Sequence, residues 1–259
     1  MKILVVADSH GSPAPLAIAK EKFNEFEKIV FLGDFFDHGD EDYETQKENF
    51  LDVMKLKNQN NGKVVVLLGN HDANYLLDEM YKWQEEHAGE IQKLILDEME
   101  NIDIFFTEGS WLFTHAGVSE IWFKRIINNE TGALISREEC NRAFQHMNRK
   151  FHSGDFSCIK FCGTDPSGDE VTQNPLWIRP DSLKFFPLPG WNQVVGHSAV
   201  VDEERIYKTA GGTVLLFLDS EPMLRNVYAE INTEDDSFSI SRAAVECTFA
   251  FAPDKKKRP

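Results

Sequence analysis

The sequence predicts an α/β fold organised around a mostly parallel sheet, and two observations support this prediction. Three short apolar runs rich in β-branched residues, at 2–7, 28–32 and 63–68, alternate with charged stretches of helical spacing at 13–26 and 43–56. That alternation is typical of βαβ units. In the carboxyl third, short apolar or alternating runs follow one another at 193–195, 205–208, 213–218, 225–231 and 237–242. Because turn residues separate these runs, they predict an antiparallel meander.

The patterns in the middle of the chain predict mainly helices. A long helical pattern covers 74–100, with a break predicted near Ala88-Gly89, and strand-like runs follow at 104–106 and 110–114. Residues 118–151 have mostly helical spacing, whereas 152–190 are rich in Gly, Pro, Ser and aromatic residues without a clear period. The second stretch therefore predicts a long ordered loop region.

Composition favours a globular protein that binds neither a nucleic acid backbone nor a membrane. The chain has 259 residues, 42% of them hydrophobic, and a formal net charge of -16. That length and that hydrophobic content are ample for a substantial core. Surfaces that bind nucleic acid backbones need clustered Lys and Arg, which an acidic chain does not favour. No apolar stretch approaches the roughly 20 residues of a membrane span, and the amino terminus has no secretory pattern.

The cysteines indicate a reducing compartment. Cys140, Cys158, Cys162 and Cys247 are too few and too unevenly spaced for a disulfide framework in a chain of this length. Cys158 and Cys162 lack the matching second pair of a zinc knuckle, so ordinary buried thiols are the better interpretation. We therefore expect a cytoplasmic location.

Five short polar clusters, each just past an apolar run or between two of them, carry the chemical signal. They are Asp8-Ser-His10, Gly33-Asp34-Phe-Phe-Asp37-His38-Gly39, Gly69-Asn70-His71-Asp72, His115-Ala-Gly117 and Gly196-His197. Alone, each has a structural alternative: a cap or turn for the Asp and Asn residues, or a buried histidine bonded to a backbone carbonyl. Together they supply the carboxylate, amide and imidazole ligands of a pair of divalent metal ions. Ligands in open sheets bind at the carboxyl ends of strands, where three of the clusters are predicted.

These clusters, in this order, resemble the motifs of the calcineurin-like metallophosphoesterase superfamily: D-x-H, G-D-x-x-D-[RH]-G, G-N-H-[DE], H-A-G and G-H. The H-A-G form and the stretch Trp177-Ile-Arg-Pro180 are more similar to the branch that contains protein serine/threonine phosphatases and bacterial dinucleoside polyphosphate hydrolases. The resemblance implies a four-layer αββα sandwich of two mixed sheets flanked by helices. It also implies a dinuclear metal centre at the sheet ends.

The resemblance further implies a role for each motif residue. Asp8 and His10 would bind the first ion, Asp34 would bridge both, and Asn70, His115 and His197 would complete the second. His71 would act as a general acid, with its ring held by Asp37. Protein phosphatases usually have Arg at the position of His38, which leaves Arg179, together with His38, as the candidate phosphate-binding residues. Manganese is the first expectation for the two ions, and iron, zinc or nickel also suit such ligands.

The activity expected from this set is hydrolysis of phosphate monoesters by a hydroxide shared between the two ions. Phosphoserine or phosphothreonine in proteins is the leading substrate. A small phosphoester or nucleotide is the alternative, as in a dinucleoside polyphosphate hydrolase. A metal-free scaffold that binds partners ranks lower, because the ligand set is complete. We expect one domain over 1–251, in which 118–190 cover the substrate site, and a flexible basic tail over 252–259. The sequence gives no oligomeric state.

Overall fold

Two mixed β-sheets form the centre of the computed structural model, which describes residues 1–37, 41–60, 62–77, 82, 84–127, 136–165, 167–220 and 225–243. The strands in chain order are β1 (Lys2–Val6), β2 (Lys28–Phe31), β3 (Val64–Leu67), β4 (Ile102–Asp103), β5 (Phe106–Glu108), β6 (Trp111–Phe113), β7 (Asn192–Val195), β8 (Ile206–Lys208), β9 (Val214–Phe217), β10 (Val227–Asn232) and β11 (Ser237–Arg242). The helices are α1 (Ala14–Glu21), α2 (Tyr43–Gln59), α3 (Asn70–Asn74), α4 (Ala88–Asp97), α5 (Glu120–Ile126), α6 (Arg137–His152) and α7 (Pro180–Phe185).

The first sheet confirms the predicted βαβ units. Its strand order is β11-β10-β1-β2-β3-β4, with β1 to β4 parallel. Helices α1 and α2 connect the first three of these strands. The antiparallel strand β10 pairs with the other side of β1, and β11 pairs with β10. The carboxyl ends of β1, β2 and β3 therefore lie side by side at one edge of the sheet.

The single antiparallel meander predicted for the carboxyl third is wrong, although two of its consecutive pairs, β8 with β9 and β10 with β11, are antiparallel. The second sheet has the order β5-β6-β7-β9-β8, in which β6, β7 and β9 are parallel and only β5 and β8 are antiparallel to their neighbours. Strand β9 is a continuous apolar run that is fully buried, as expected for an interior strand of a parallel sheet. Strands β10 and β11 belong to the first sheet. The sequence pattern did not reveal that the chain returns to the first sheet at β10, because short successive strands look alike whether a hairpin or a crossover joins them.

The two sheets pack face to face, and helices cover their outer faces. Alternate residues of β1, such as Ile3 and Val5, contact a buried cluster that includes Trp111 and Phe113 of the second sheet. The other set, such as Leu4, lies in the cluster formed with helices. This alternation follows from the period of two along a strand. The four-layer arrangement implied by the resemblance is thus confirmed.

Several predicted boundaries in the middle of the chain need correction. The predicted helix 74–100 is divided in the described residues: α3 ends at Asn74 and α4 begins at Ala88, after a short 3-10 turn at Glu85–His87. The break predicted near Ala88-Gly89 is therefore a helix start. The predicted loop region 152–190 contains α7, which has proline in its first turn. The predicted strand 104–106 is mostly the crossover between the two sheets, since only Phe106 belongs to β5.

Three of the four cysteines fall within the described residues and are free thiols. Cys158 is buried, and burial raises its pKa to about 12, as expected of an ordinary core thiol. Cys247 and the predicted basic tail 252–259 lie outside the described residues. No helix in the described ranges is both long enough and apolar enough to cross a membrane.

One side chain fixes the crossover from the first sheet to the second. Asn148, on α6, accepts hydrogen bonds from the backbone N–H groups of Ile104 (3.0 Å) and Phe105 (3.2 Å). It also donates to the Phe105 carbonyl at 2.8 Å. Ile104 and Phe105 are buried, so these backbone groups depend on a protein partner. Asn148 therefore substitutes for strand pairing where the chain leaves one sheet for the other.

We predict that Asn148→Ala lowers the free energy of unfolding by about 1–3 kcal/mol, because buried backbone groups lose their partner. Urea denaturation of both proteins measures the difference. Gln145→Ala, at an exposed position of the same helix, is the matched control and should change stability by less than about 0.5 kcal/mol. Equal effects of the two substitutions would contradict this role for Asn148.

Candidate metal centre

The five motifs converge at the carboxyl ends of strands from both sheets. Three of them follow β1, β2 and β3, and two follow β6 and β7. The residues that sequence analysis proposed as metal ligands are Asp8, His10, Asp34, Asn70, His115 and His197. The first five are almost completely buried, and His197 is partly exposed. The structure thus brings together side chains that are up to 189 positions apart in the chain.

Asp34 lies at the centre of this cluster. Its Oδ2 atom is 3.4 Å from His115 Nε2 and 3.5 Å from His10 Nε2. Its Oδ1 atom accepts the backbone N–H of His71 at 2.9 Å. Burial alone would raise the pKa of this carboxyl, but His115 and His71 hold it well below its usual range. Asp34 is therefore a buried carboxylate that faces histidines on several sides.

Three of the histidines each have one ring nitrogen against a backbone carbonyl. The contacts are His10 Nδ1 with Phe36 (3.0 Å), His115 Nδ1 with Leu32 (2.9 Å) and His197 Nε2 with Trp177 (3.2 Å). A carbonyl only accepts hydrogen bonds, so each of these nitrogens carries a proton. In a neutral ring the other nitrogen then has a bare lone pair. Such hydrogen bonds commonly fix the tautomer of a metal-binding histidine.

The amide of Asn70 shows that these atoms suit a cation. Its Oδ1 atom is 2.8 Å from His115 Nε2 and 2.9 Å from His197 Nδ1. In a neutral ring each of these nitrogens is the one left without a proton, so its lone pair faces the amide oxygen unless a cation or an extra proton lies between them. Burial lowers the pKa of His115, but Asp34 and Asp8 outweigh it and raise the pKa to about 9. The donor set therefore attracts positive charge.

Asp8 joins the same cluster from the other side. Both its carboxylate oxygens accept the backbone N–H of His197 at 3.1 Å. Burial raises the pKa of Asp8 to about 6, even though His115 opposes this. Ligand atoms of Asp8, Asp34 and His115 lie within 4.8 Å of one another. In the roles implied by the resemblance, Asp8 would bind the first ion, His115 the second and Asp34 both. This triad therefore joins the two proposed ion sites.

Close packing of loops forms the cluster. A Cβ atom at position 69 would lie 2.0 Å from Asp34 Oδ1, and one at position 196 would lie 2.2 Å from Asp8 Oδ2. Glycine is therefore required at both places. Five non-glycine residues in the described ranges have positive φ, and four belong to the motifs: His10, Asp34, Asp37 and His197. Such backbone strain typically concentrates at functional sites.

The carboxylate of Asp72 organises the loop that carries Asp34. It accepts backbone N–H groups of Asp34 and Phe35 at 2.8 Å, of Gly69 at 3.1 Å and of Phe36 at 3.2 Å. Burial and the nearby Asp34 raise the pKa of Asp72 to about 7. Sequence analysis gave this residue no role, although its place in the third motif was a signal.

His71 and Asp37 lie side by side at the edge of the cluster. His71 Nδ1 is 3.4 Å from Asp37 Oδ2, and its ring meets the His10 ring edge to face at 5.0 Å. Burial lowers the pKa of His71, but Asp34 and Asp37 outweigh it and raise the pKa above the usual value. The neighbouring carboxylates therefore favour the protonated form of the His71 ring beside the cluster.

Two further residues hold Asp37, and sequence analysis missed both. The hydroxyl of Tyr75 donates to Asp37 Oδ1, and Gln46 Oε1 accepts the Asp37 backbone N–H at 2.9 Å. Tyr75 is four residues after His71, the spacing that puts two residues on one helix face. That spacing was a usable signal. No local pattern marks Gln46, which comes from α2.

Of the two candidate phosphate-binding residues, only Arg179 lies within the described residues. Arg179 donates to the Ser167 carbonyl at 2.8 Å and to Ser198 Oγ at 3.1 Å. Burial lowers the pKa of Arg179, against the opposing effect of Asp169, Asp219 and, least of the three, Asp34. The guanidinium is thus held next to the loop of His197 and is near enough to interact electrostatically with the cluster. His38 lies outside the described residues.

Comparison with solved structures gives the same fold. The chain is similar to a cold-active protein-tyrosine phosphatase of a psychrophilic Shewanella species (17% identity, 92% of this chain and 80% of that chain, TM-score 0.57). It is also similar to a protein serine/threonine phosphatase from Saccharomyces cerevisiae (16%, 95% and 81%, 0.55) and to a metallophosphoesterase from Sphaerobacter thermophilus (14%, 95% and 89%, 0.52). At these identities the likeness concerns the fold alone.

Comparison by sequence gives the family. None of the curated proteins matches this chain. The sequence pattern of calcineurin-like phosphoesterases, however, matches residues 1–201, which include all five motifs. The cluster described above supplies the oxygen and nitrogen ligands that divalent metal ions require. The chain is therefore a metal-dependent hydrolase of phosphate esters and belongs to the calcineurin-like phosphoesterase family.

Proposed function

We propose that this enzyme hydrolyses alkyl phosphate monoesters, with phosphoserine and phosphothreonine in proteins as its substrates. The observation that carries the proposal is the contact between His71 Nδ1 and the buried carboxylate of Asp37, 3.4 Å apart, beside Asp34. An alkoxide is a poor leaving group and needs a proton as the ester bond breaks. A protonated imidazole at the edge of the metal site suits that task.

In this proposal, six residues hold two metal ions. Asp8, His10 and Asp34 would bind one ion. Asp34, Asn70, His115 and His197 would bind the other, and manganese is the proposed metal. Two bound divalent cations lower the pKa of water and take up charge on the phosphoryl oxygens. The mixed oxygen and nitrogen ligands also suit iron, zinc or nickel.

The chain's own residues supply positioning and protons. Asp34 holds the backbone of His71 through its N–H, so the general acid and the metal cluster keep a fixed separation. Asp37 orients the His71 ring and stabilises its protonated form. Arg179, anchored by Ser167 and Ser198, would bind a phosphate oxygen, since guanidinium groups match that geometry. A cytoplasmic location is part of this proposal.

A substrate panel tests the choice of ester. With manganese present, we predict a higher kcat/KM for a phosphoserine peptide than for a dinucleoside tetraphosphate. The reason is that the described residues that the proposal uses are the metal ligands, the pair of His71 and Asp37, and Arg179, and none of these is assigned to bind a base. Both rates are measured on one preparation, with phosphate release as the readout for the peptide and nucleotide chromatography for the tetraphosphate. Faster cleavage of the tetraphosphate would replace this proposal with a nucleotide hydrolase. Cleavage of neither, in a protein that binds no metal, would favour a scaffold.

The role of His71 predicts a dependence on the leaving group. His71→Asn should lower kcat on an alkyl phosphate by about 10²–10⁴-fold, the usual contribution of general acid catalysis. An activated aryl phosphate, whose leaving group needs no proton, should lose about tenfold or less. His146→Asn, at an exposed position of α6, is the control and should leave both rates unchanged. Equal losses on the two esters would remove the general acid assignment.

A further inference from the structure

One carboxylate oxygen of Asp37 is held by hydrogen bonds, and the other faces the ring of His71. Its Oδ1 atom accepts the hydroxyl of Tyr75 and, at 3.3 Å, the backbone N–H of Gln84. Its Oδ2 atom faces His71 Nδ1 at 3.4 Å. Asp37 is completely buried, so these contacts determine how the carboxylate is turned.

The hydroxyl of Tyr75 is itself fixed. It accepts the backbone N–H of Gln84 at 3.2 Å and donates to Asp37. Burial and Asp37 raise the pKa of Tyr75 well above its usual value, so the phenol keeps its proton. Its ring is buried and lies 6.3 Å from the ring of Phe36, in an edge-to-face arrangement. A buried hydroxyl is costly unless it is bonded, and here its acceptor is the carboxylate behind His71.

We propose that Tyr75 is a positioning residue for the general acid, acting through Asp37. By holding Oδ1, the hydroxyl turns Oδ2 towards His71 Nδ1 and thereby sets the plane and direction of the imidazole. The inference rests on the proposed role of His71 and adds a third member to that pair. The short helix α3 makes it feasible, because residues four apart lie on one face.

Tyr75→Phe tests this inference, since it removes only the hydroxyl and keeps the buried ring. We expect kcat on an alkyl phosphate to fall about tenfold, a part of the 10²–10⁴-fold that general acids contribute. The rate on an activated aryl phosphate should fall less than about threefold. The ratio of the two rates is the readout, because it does not depend on the fraction of folded or metal-loaded enzyme.

Tyr43→Phe is the matched control. The Tyr43 hydroxyl also donates to a carboxylate, that of Glu90 at 2.9 Å, and its ring is also buried. It lies outside the proposed machinery, so the ratio should stay at the wild-type value. A change in the ratio as large as that of Tyr75→Phe would contradict the inference, because any lost phenol bond would then give the effect.

A double-mutant cycle separates this inference from the proposed function. If Tyr75 acts through His71, adding Tyr75→Phe to His71→Asn should leave the ratio of rates unchanged. A further change in that background would overturn the inference, as would equal loss on both esters in Tyr75→Phe alone. If His71→Asn itself fails to change the ratio, the general acid assignment is wrong and Tyr75 loses its role with it.

Discussion

The convergence of buried carboxylate, amide and imidazole groups around Asp34 is the constraint on which the rest of this structure depends. Carboxylate and amide oxygens lie within 2.8–3.5 Å of imidazole nitrogens whose opposite sides are bonded to backbone groups. A buried carboxylate such as Asp34 is costly unless cationic or hydrogen-bonding groups compensate its charge. Cations bound by these oxygen and nitrogen atoms would compensate the carboxylate charge, and their binding would then stabilise the folded loops.

The surrounding residues keep these groups in place. Asp72 gathers the N–H groups of the loop after β2, and backbone carbonyls fix the tautomers of three histidines. Four motif residues adopt positive φ, a conformation that persists only where neighbouring contacts enforce it. The motif loops therefore contain backbone conformations that non-glycine residues rarely adopt, whereas the strands of the two sheets keep regular geometry. That contrast is expected at a functional site.

Sequence was informative where local chemistry determines structure. The β-branched runs of β1, β2 and β3 are buried strands, and the five motifs do meet at strand ends. Sheet membership in the carboxyl third was not predictable, because β10 pairs with β1 across more than 200 residues. The same holds for contacts between distant elements. Asn148 supports a crossover in a different part of the chain, and Gln46 reaches Asp37 from α2. Tyr75 differs, since its spacing from His71 was visible in the sequence.

The most direct test of the account is the number of divalent ions that the purified chain binds. The protein is stripped with a chelator, reconstituted with manganese, desalted and measured by inductively coupled plasma mass spectrometry against protein concentration. The account predicts two manganese ions per chain, since one shared carboxylate and two sets of nitrogen and oxygen ligands surround Asp34. A folded chain that holds fewer than two ions per chain after reconstitution with manganese, and equally with zinc, iron or nickel, would contradict it.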